Sequence, residues 1–91
     1  MNPLSKFLKG PVVEETTGPD SYDATNGFTV TVGRLRNVEH AVVYMSGGYI
    51  GEVADVSGNT VTVKAYASGG TAVADGTDLS SVTVKVFAWG I

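Results

Sequence analysis

The chain has one histidine, nine aspartates and glutamates and no cysteine, which narrows the chemistry open to it. His40 sits beside Glu39 within a run of β-branched residues. A lone strand histidine reads as a surface or interface residue rather than a base. A serine nucleophile needs a base within reach and a turn that exposes it, and the sequence has no Gly-x-Ser-x-Gly elbow. Zinc takes three or four His, Cys or carboxylate ligands, so His40 alone is too little. Calcium prefers oxygen donors. Asp20, Asp23 and Asn26 recur every third residue in a Gly-containing loop, and Asp75 and Asp78 flank another. Neither run has the Asp-x-Asp-x-Asp-Gly…Glu pattern, and both read as Asx turns. Gly47-Gly48 and Gly69-Gly70 are turn glycines, because no helix start follows to complete a phosphate cradle. The residues therefore predict no catalytic group, metal or cofactor, and an enzyme is the least expected class.

The elements that carry these residues read as strands. Phe28-Thr29-Val30-Thr31-Val32 alternates with period two. Val38 to Met45, Tyr49 to Val56, Thr60 to Ala67 and Ser81 to Trp89 follow. Ser46-Gly47-Gly48 and Ser57-Gly58-Asn59 mark turns, and a long loop runs from Ser68 to Ser81. Val61-Thr62-Val63-Lys64-Ala65-Tyr66-Ala67 is echoed by Val82-Thr83-Val84-Lys85-Val86-Phe87-Ala88, which reads as two strands of one sheet. Val61, Val63, Ala65, Val82, Val84 and Val86 should face inward. If the two strands are neighbours, Tyr66, Phe87 and Trp89 cluster on the outer face. That cluster is a candidate subunit interface or ligand face, unless the N-terminal segment or a loop covers it. A sugar-stacking platform usually has Asp, Asn, Gln or Arg beside it, and strand spacing places none there.

The first residues differ in kind. Asn2 and Pro3 suit a helix start, and Leu4, Phe7 and Leu8 fall on one face. Lys9 lies toward the end, with Gly10 and Pro11 as stop signals. About two turns of helix are marginal alone in water. The segment is thus expected to be a short helical or extended arm, with Leu4, Phe7 and Leu8 entering a partner's groove. Residues 11–27 read as an acidic connector with Glu14, Glu15, Asp20 and Asp23, in which Val12-Val13 suits a short edge strand. The expected division is residues 1–26 for arm and connector and 27–91 for an antiparallel β-domain.

Composition limits partners. With 91 residues, only one modest core is possible. Net charge is −3 and Lys plus Arg number 6, too few and too scattered for a nucleic-acid stripe. No run approaches the roughly 20 apolar residues of a membrane span. The start lacks the apolar core of a signal peptide, so the chain is expected to stay in the cytoplasm or leave it by assembly or lysis. Charged residues are only 16%, against about a quarter in ordinary domains, so much of the surface is Thr, Ser, Gly, Asn and small apolar groups that neighbours can cover.

Three phrases, Gly27-Phe28-Thr29-Val30-Thr31-Val32, Ser57-Gly58-Asn59-Thr60-Val61-Thr62-Val63 and Ala74-Asp75-Gly76-Thr77-Asp78-Leu79-Ser80-Ser81-Val82-Thr83, carry a resemblance. In style the chain resembles small virion proteins of tailed phages and archaeal viruses, namely head-decoration (cement) proteins and small tail or fibre-base modules. The resemblance implies a β-sandwich or β-tulip monomer, oligomers that are often trimeric, and an N-terminal arm lying on the major capsid protein. The expected fold is therefore all-β: a small antiparallel sandwich or barrel, β-tulip-like or jelly-roll-like. The expected function is a non-enzymatic virion structural protein, a capsid decoration or cement protein that binds and stabilises the major capsid shell, or another virion protein, through its short N-terminal arm and its oligomer contacts, assembled in the host cytoplasm as a homo-oligomer with a trimer favoured. A small carbohydrate-binding or adhesion module, and a self-assembling filament or surface-layer subunit, are the alternatives.

Overall fold

A computed structural model describes residues 9–91. Six strands form: β1 (Lys9–Thr17), β2 (Phe28–Thr31), β3 (Val38–Met45), β4 (Ile50–Ser57), β5 (Thr60–Tyr66) and β6 (Thr83–Gly90). The described residues are all-β, with two three-stranded antiparallel sheets and no helix. Sheet A has the order β1-β6-β3 and sheet B the order β2-β5-β4.

Alternation explains the core. β5 and β6 bury every second residue, giving Val61, Val63 and Ala65 from one sheet and Val84, Val86 and Ala88 from the other. These belong to one cluster, joined by Val30, Val38 and Met45 from the flanking strands. The inward set expected from sequence is buried in full. The expected pairing is not found: β5 and β6 are the central strands of different sheets. Two central strands that face each other across a core carry the same inside-and-outside pattern as two neighbours in one sheet, so the echo could not separate these cases.

The connections cover the two ends of the paired sheets. β4 turns into β5 through Gly58 and Asn59, with Ser57 paired to Thr60. Gly58 has φ +59°, as the first central residue of a type II′ turn requires. The carbonyls of Gly58 and Asn59 accept N–H bonds from Val38 and Val32, which holds the 32–37 loop and its buried Leu35 over this end. At the other end, residues 18–22 and 76–82 run together. Gly18 N–H donates to Val82, Tyr22 N–H to Thr77, Gly76 N–H to Tyr22 and Leu79 N–H to Pro19, all to backbone carbonyls. Tyr22, Val73, Leu79 and Val82 enter the core from these connections.

The segment read as an acidic connector therefore contributes a sheet strand and a core tyrosine. The expected edge strand at Val12-Val13 is part of the longer β1. Lys9 and Gly10, expected to end a helix, lie in β1, and Lys9 pairs with Gly90. The register shifts between Lys9 and Val12, so Pro11 falls at a bulge of an edge strand, where its missing N–H costs no ladder bond. The rest of the expected helix, with Leu4, Phe7 and Leu8, lies outside the described residues.

Candidate functional site

The outward residues of β6 are Thr83, Lys85, Phe87 and Trp89, because their neighbours Val84, Val86 and Ala88 fill the core. The pairing register sets what stands beside them. Val13 of β1 and Val42 of β3 flank Phe87, making an apolar row across all three strands. Glu15 and Tyr44 flank Lys85, and His40 is paired with Trp89. The His40 and Trp89 rings lie 5.3 Å apart with planes tilted by 42°. Val13 is 40% exposed, Val42 49% and Tyr44 52%. Phe87 and Trp89 are partly buried because a strand runs on either side of each.

Sheet A thus presents an aromatic and aliphatic outer face. The one ion pair among the described residues, Lys85 Nζ to Glu15 Oε1 at 3.7 Å, lies here, is exposed and is worth little by itself. Both edge strands are bulged beside the Trp89–Gly90 end, between Lys9 and Val12 and between Val38 and His40. Bulges bend a strand and re-aim its side chains, and they blunt an edge against further pairing. Arg34 adds to this by donating from Nη2 to the Val13 carbonyl at 3.2 Å, and the Glu14 carboxylate accepts from Gly33 N–H.

Sheet B differs. Its outward residues include Thr29, Thr31, Thr60, Thr62, Lys64 and Glu52, in register across β2, β5 and β4. Tyr66 ends β5 on this sheet, beside the exposed Ile50, and donates its hydroxyl to Glu52 Oε1 at 3.0 Å. That bond raises the Tyr66 pKa above the ordinary phenol value, with the Glu52 charge adding to it. The expected trio is therefore divided. Phe87 and Trp89 share one face, and Tyr66 belongs to the other sheet.

Sequence reasoning read His40 as a surface or interface residue and Tyr44 as a candidate ligand contact with Tyr49, but it did not join either of them, or Val13 and Val42, to Phe87 and Trp89 on this face. A signal was present in Ala41-Val42-Val43-Tyr44-Met45, a strand apolar on both sides. Such a run is expected where both faces of a sheet are covered, not where one faces water.

The carboxylates considered for calcium hold loops. Asp23 accepts from the N–H groups of Thr25 and Asn26 and from the Asn26 side-chain amide, at 2.9–3.0 Å. Asp75 Oδ1 accepts from Ala24 N–H at 2.9 Å, tying the two connections together. Asp78 accepts from the Ser80 hydroxyl and N–H. No group of three or more His, Cys, Asp or Glu side chains that could hold a metal ion occurs among the described residues.

These bonds have a pH consequence. The Asn26 amide, then the Asn26 and Thr25 N–H groups, lower the Asp23 pKa, and the Ser80 hydroxyl and N–H lower that of Asp78. A carboxylate whose folded pKa is depressed stabilises the fold above its unfolded value, about 3.9 for Asp, and that stabilisation is lost as pH falls through the folded value. The melting temperature should therefore fall on acidification below about pH 4–5. Asn keeps an acceptor for the turn but does not titrate, so a D23N/D78N variant should lose less on going from pH 5 to pH 3. Thermal melts across that range check this, and an acid slope equal to that of the parent chain would contradict it.

No protein-family model, curated protein or solved structure matches the chain.

Proposed function

We propose that the chain is a non-enzymatic structural protein of a virion, a head-decoration (cement) protein built as a small β-sandwich. It binds the shell through Leu4, Phe7 and Leu8 and contacts its neighbours through the outer face of sheet A. The observation that carries this reading is the inequality of the two sheets. One outer face is Thr-rich and polar, whereas the other sets Phe87 and Trp89 among exposed Val13, Val42 and Tyr44. Aromatic side chains with few charges are what distinguish the centre of a protein contact from ordinary surface. The low charge of the whole chain and its resemblance to small virion proteins support the same reading.

A shell gives such a protein many identical sites, so weak contacts sum through effective concentration. Gradient fractionation of a lysate in which the particles assemble tests it. The chain should band with the particles, and a full-length variant with Leu4, Phe7 and Leu8 all replaced by Ser should lose at least tenfold in occupancy. A chain found only in low-mass fractions, or a variant that decorates fully, would overturn the proposal.

A further inference from the structure

The outer face of sheet A can be assigned an occupant by asking what fits its charge and its rows. We infer that it stacks on the same face of a second copy, related by a two-fold axis that runs across the strands at the row of Phe87. This inference rests on reading the face as a contact surface, and it does not depend on the virion assignment.

The chain carries a net −3, yet among the described residues that the pairing register sets on this face the charged side chains are Lys85 and Glu15, which pair with each other, while exposed Glu39 stands in the bulge at its margin. Two copies can meet there without bringing their excess negative charge together. A two-fold across the strands lays Phe87 on Phe87, Val13 on Val13 and Val42 on Val42, so the apolar row meets itself. The same operation exchanges the rows on either side. Lys85 then comes over Trp89 of the second copy, a favourable cation–aromatic pairing, and Tyr44 comes over His40. Lysine never faces lysine. The face is thus self-complementary, as an isologous contact requires.

Three strands spaced by about 4.8 Å and seven residues rising about 3.4 Å each give a patch of roughly 350 Å². A stable complex buries about 800 Å² per partner, so this contact is weak and exchanging. An isologous contact also closes at two, so this face makes dimers. A trimer would have to use another surface.

Trp89 is the chain's only tryptophan and lies on the face, so its emission reports occupancy directly. Sedimentation velocity and Trp89 emission of the full chain should be followed from 5 to 500 µM. Both should change together over that range, and V42K should weaken association at least tenfold. Val42 is half exposed and outside the core, so V42K should melt within a few degrees of the parent. Association unaltered by V42K would place the contact elsewhere and overturn the inference. A chain that stays monomeric at 500 µM with constant emission would also overturn it. In that case, V42K retaining full particle occupancy would remove the contact reading too, whereas its loss from particles would leave that reading standing. Two other results would name a different occupant and overturn the second copy: tighter association when Leu4, Phe7 and Leu8 are replaced by Ser, or a saturable emission change of the monomer with an oligosaccharide.

Discussion

Replacing Leu79 by Ala should lower the free energy of unfolding by about 3–4 kcal/mol, within the range for deleting a buried leucine side chain. Residue 79 lies in a connection between strands, where such a loss is not usual. It is nevertheless 0% exposed, among the most buried side chains of the described chain. The cost depends on how far the surroundings can collapse into the space left behind. Here the backbone is held from two sides, since Leu79 N–H donates to Pro19 and its carbonyl accepts from Val82 N–H. Gly18 also packs directly on it: a Cβ at Gly18 would come within 2.6 Å of the Leu79 carbonyl oxygen. The two connections cannot easily shift inward, so the cavity should persist. A domain of this length has roughly 5–14 kcal/mol in total. The variant should therefore melt on the order of 15–20 °C lower. Urea denaturation with an unchanged slope checks the figure. A loss below about 1 kcal/mol would mean that the connection yields, and that the end of the core is softer than its hydrogen bonds imply.

The same contrast between strands and connections explains how much could be read in advance. β3 matches its expected span, and β2, β4, β5 and β6 differ by one or two residues at their ends, where strand limits are least defined. Val61, Val63, Ala65, Val84 and Val86 were legible because alternation records which side of a strand meets the core. Alternation does not record the neighbouring strand. β5 and β6 carry nearly the same phrase, and only the tertiary pairing places them in opposite sheets. That choice also decides the candidate site: it separates Tyr66 from Phe87 and Trp89, and it brings in Val13 and Val42 from strands distant in sequence. The apolar run at 41–45 hinted at such a face, but a run that is apolar on both sides does not name its partners. Leu79 and Tyr22 were illegible for another reason. Each is a single apolar or aromatic residue among turn formers, and its burial follows from two loops meeting across the molecule.

Tyr22→Phe should cost about 1–3 kcal/mol although it removes one oxygen and no carbon. β2 pairs with β5 only from Thr60 to Val63, so Ala65 lies beyond the last residue of that ladder. Its carbonyl accepts from Val73 N–H at 3.1 Å, and its own N–H donates to the Tyr22 hydroxyl at 2.9 Å. The loop and the tyrosine thus stand where a longer β2 would have been. Ala65 is 1% exposed, so water cannot readily replace the lost acceptor, and a buried N–H left without one carries its full desolvation penalty. The phenyl ring of the variant would keep its edge contact with Phe28, whose ring centre is 6.4 Å away, so the loss isolates the hydroxyl. Tyr22→Ala removes ring and hydroxyl together and should cost more, about 3–5 kcal/mol. Amide exchange supplies a local reading. In Tyr22→Phe the Ala65 amide should lose protection beyond the global change, while the Val61 and Val63 amides should follow global stability. A variant as stable as the parent, with Ala65 equally protected, would mean that the hydroxyl does not stand in for a strand and that β5 holds its edge without it.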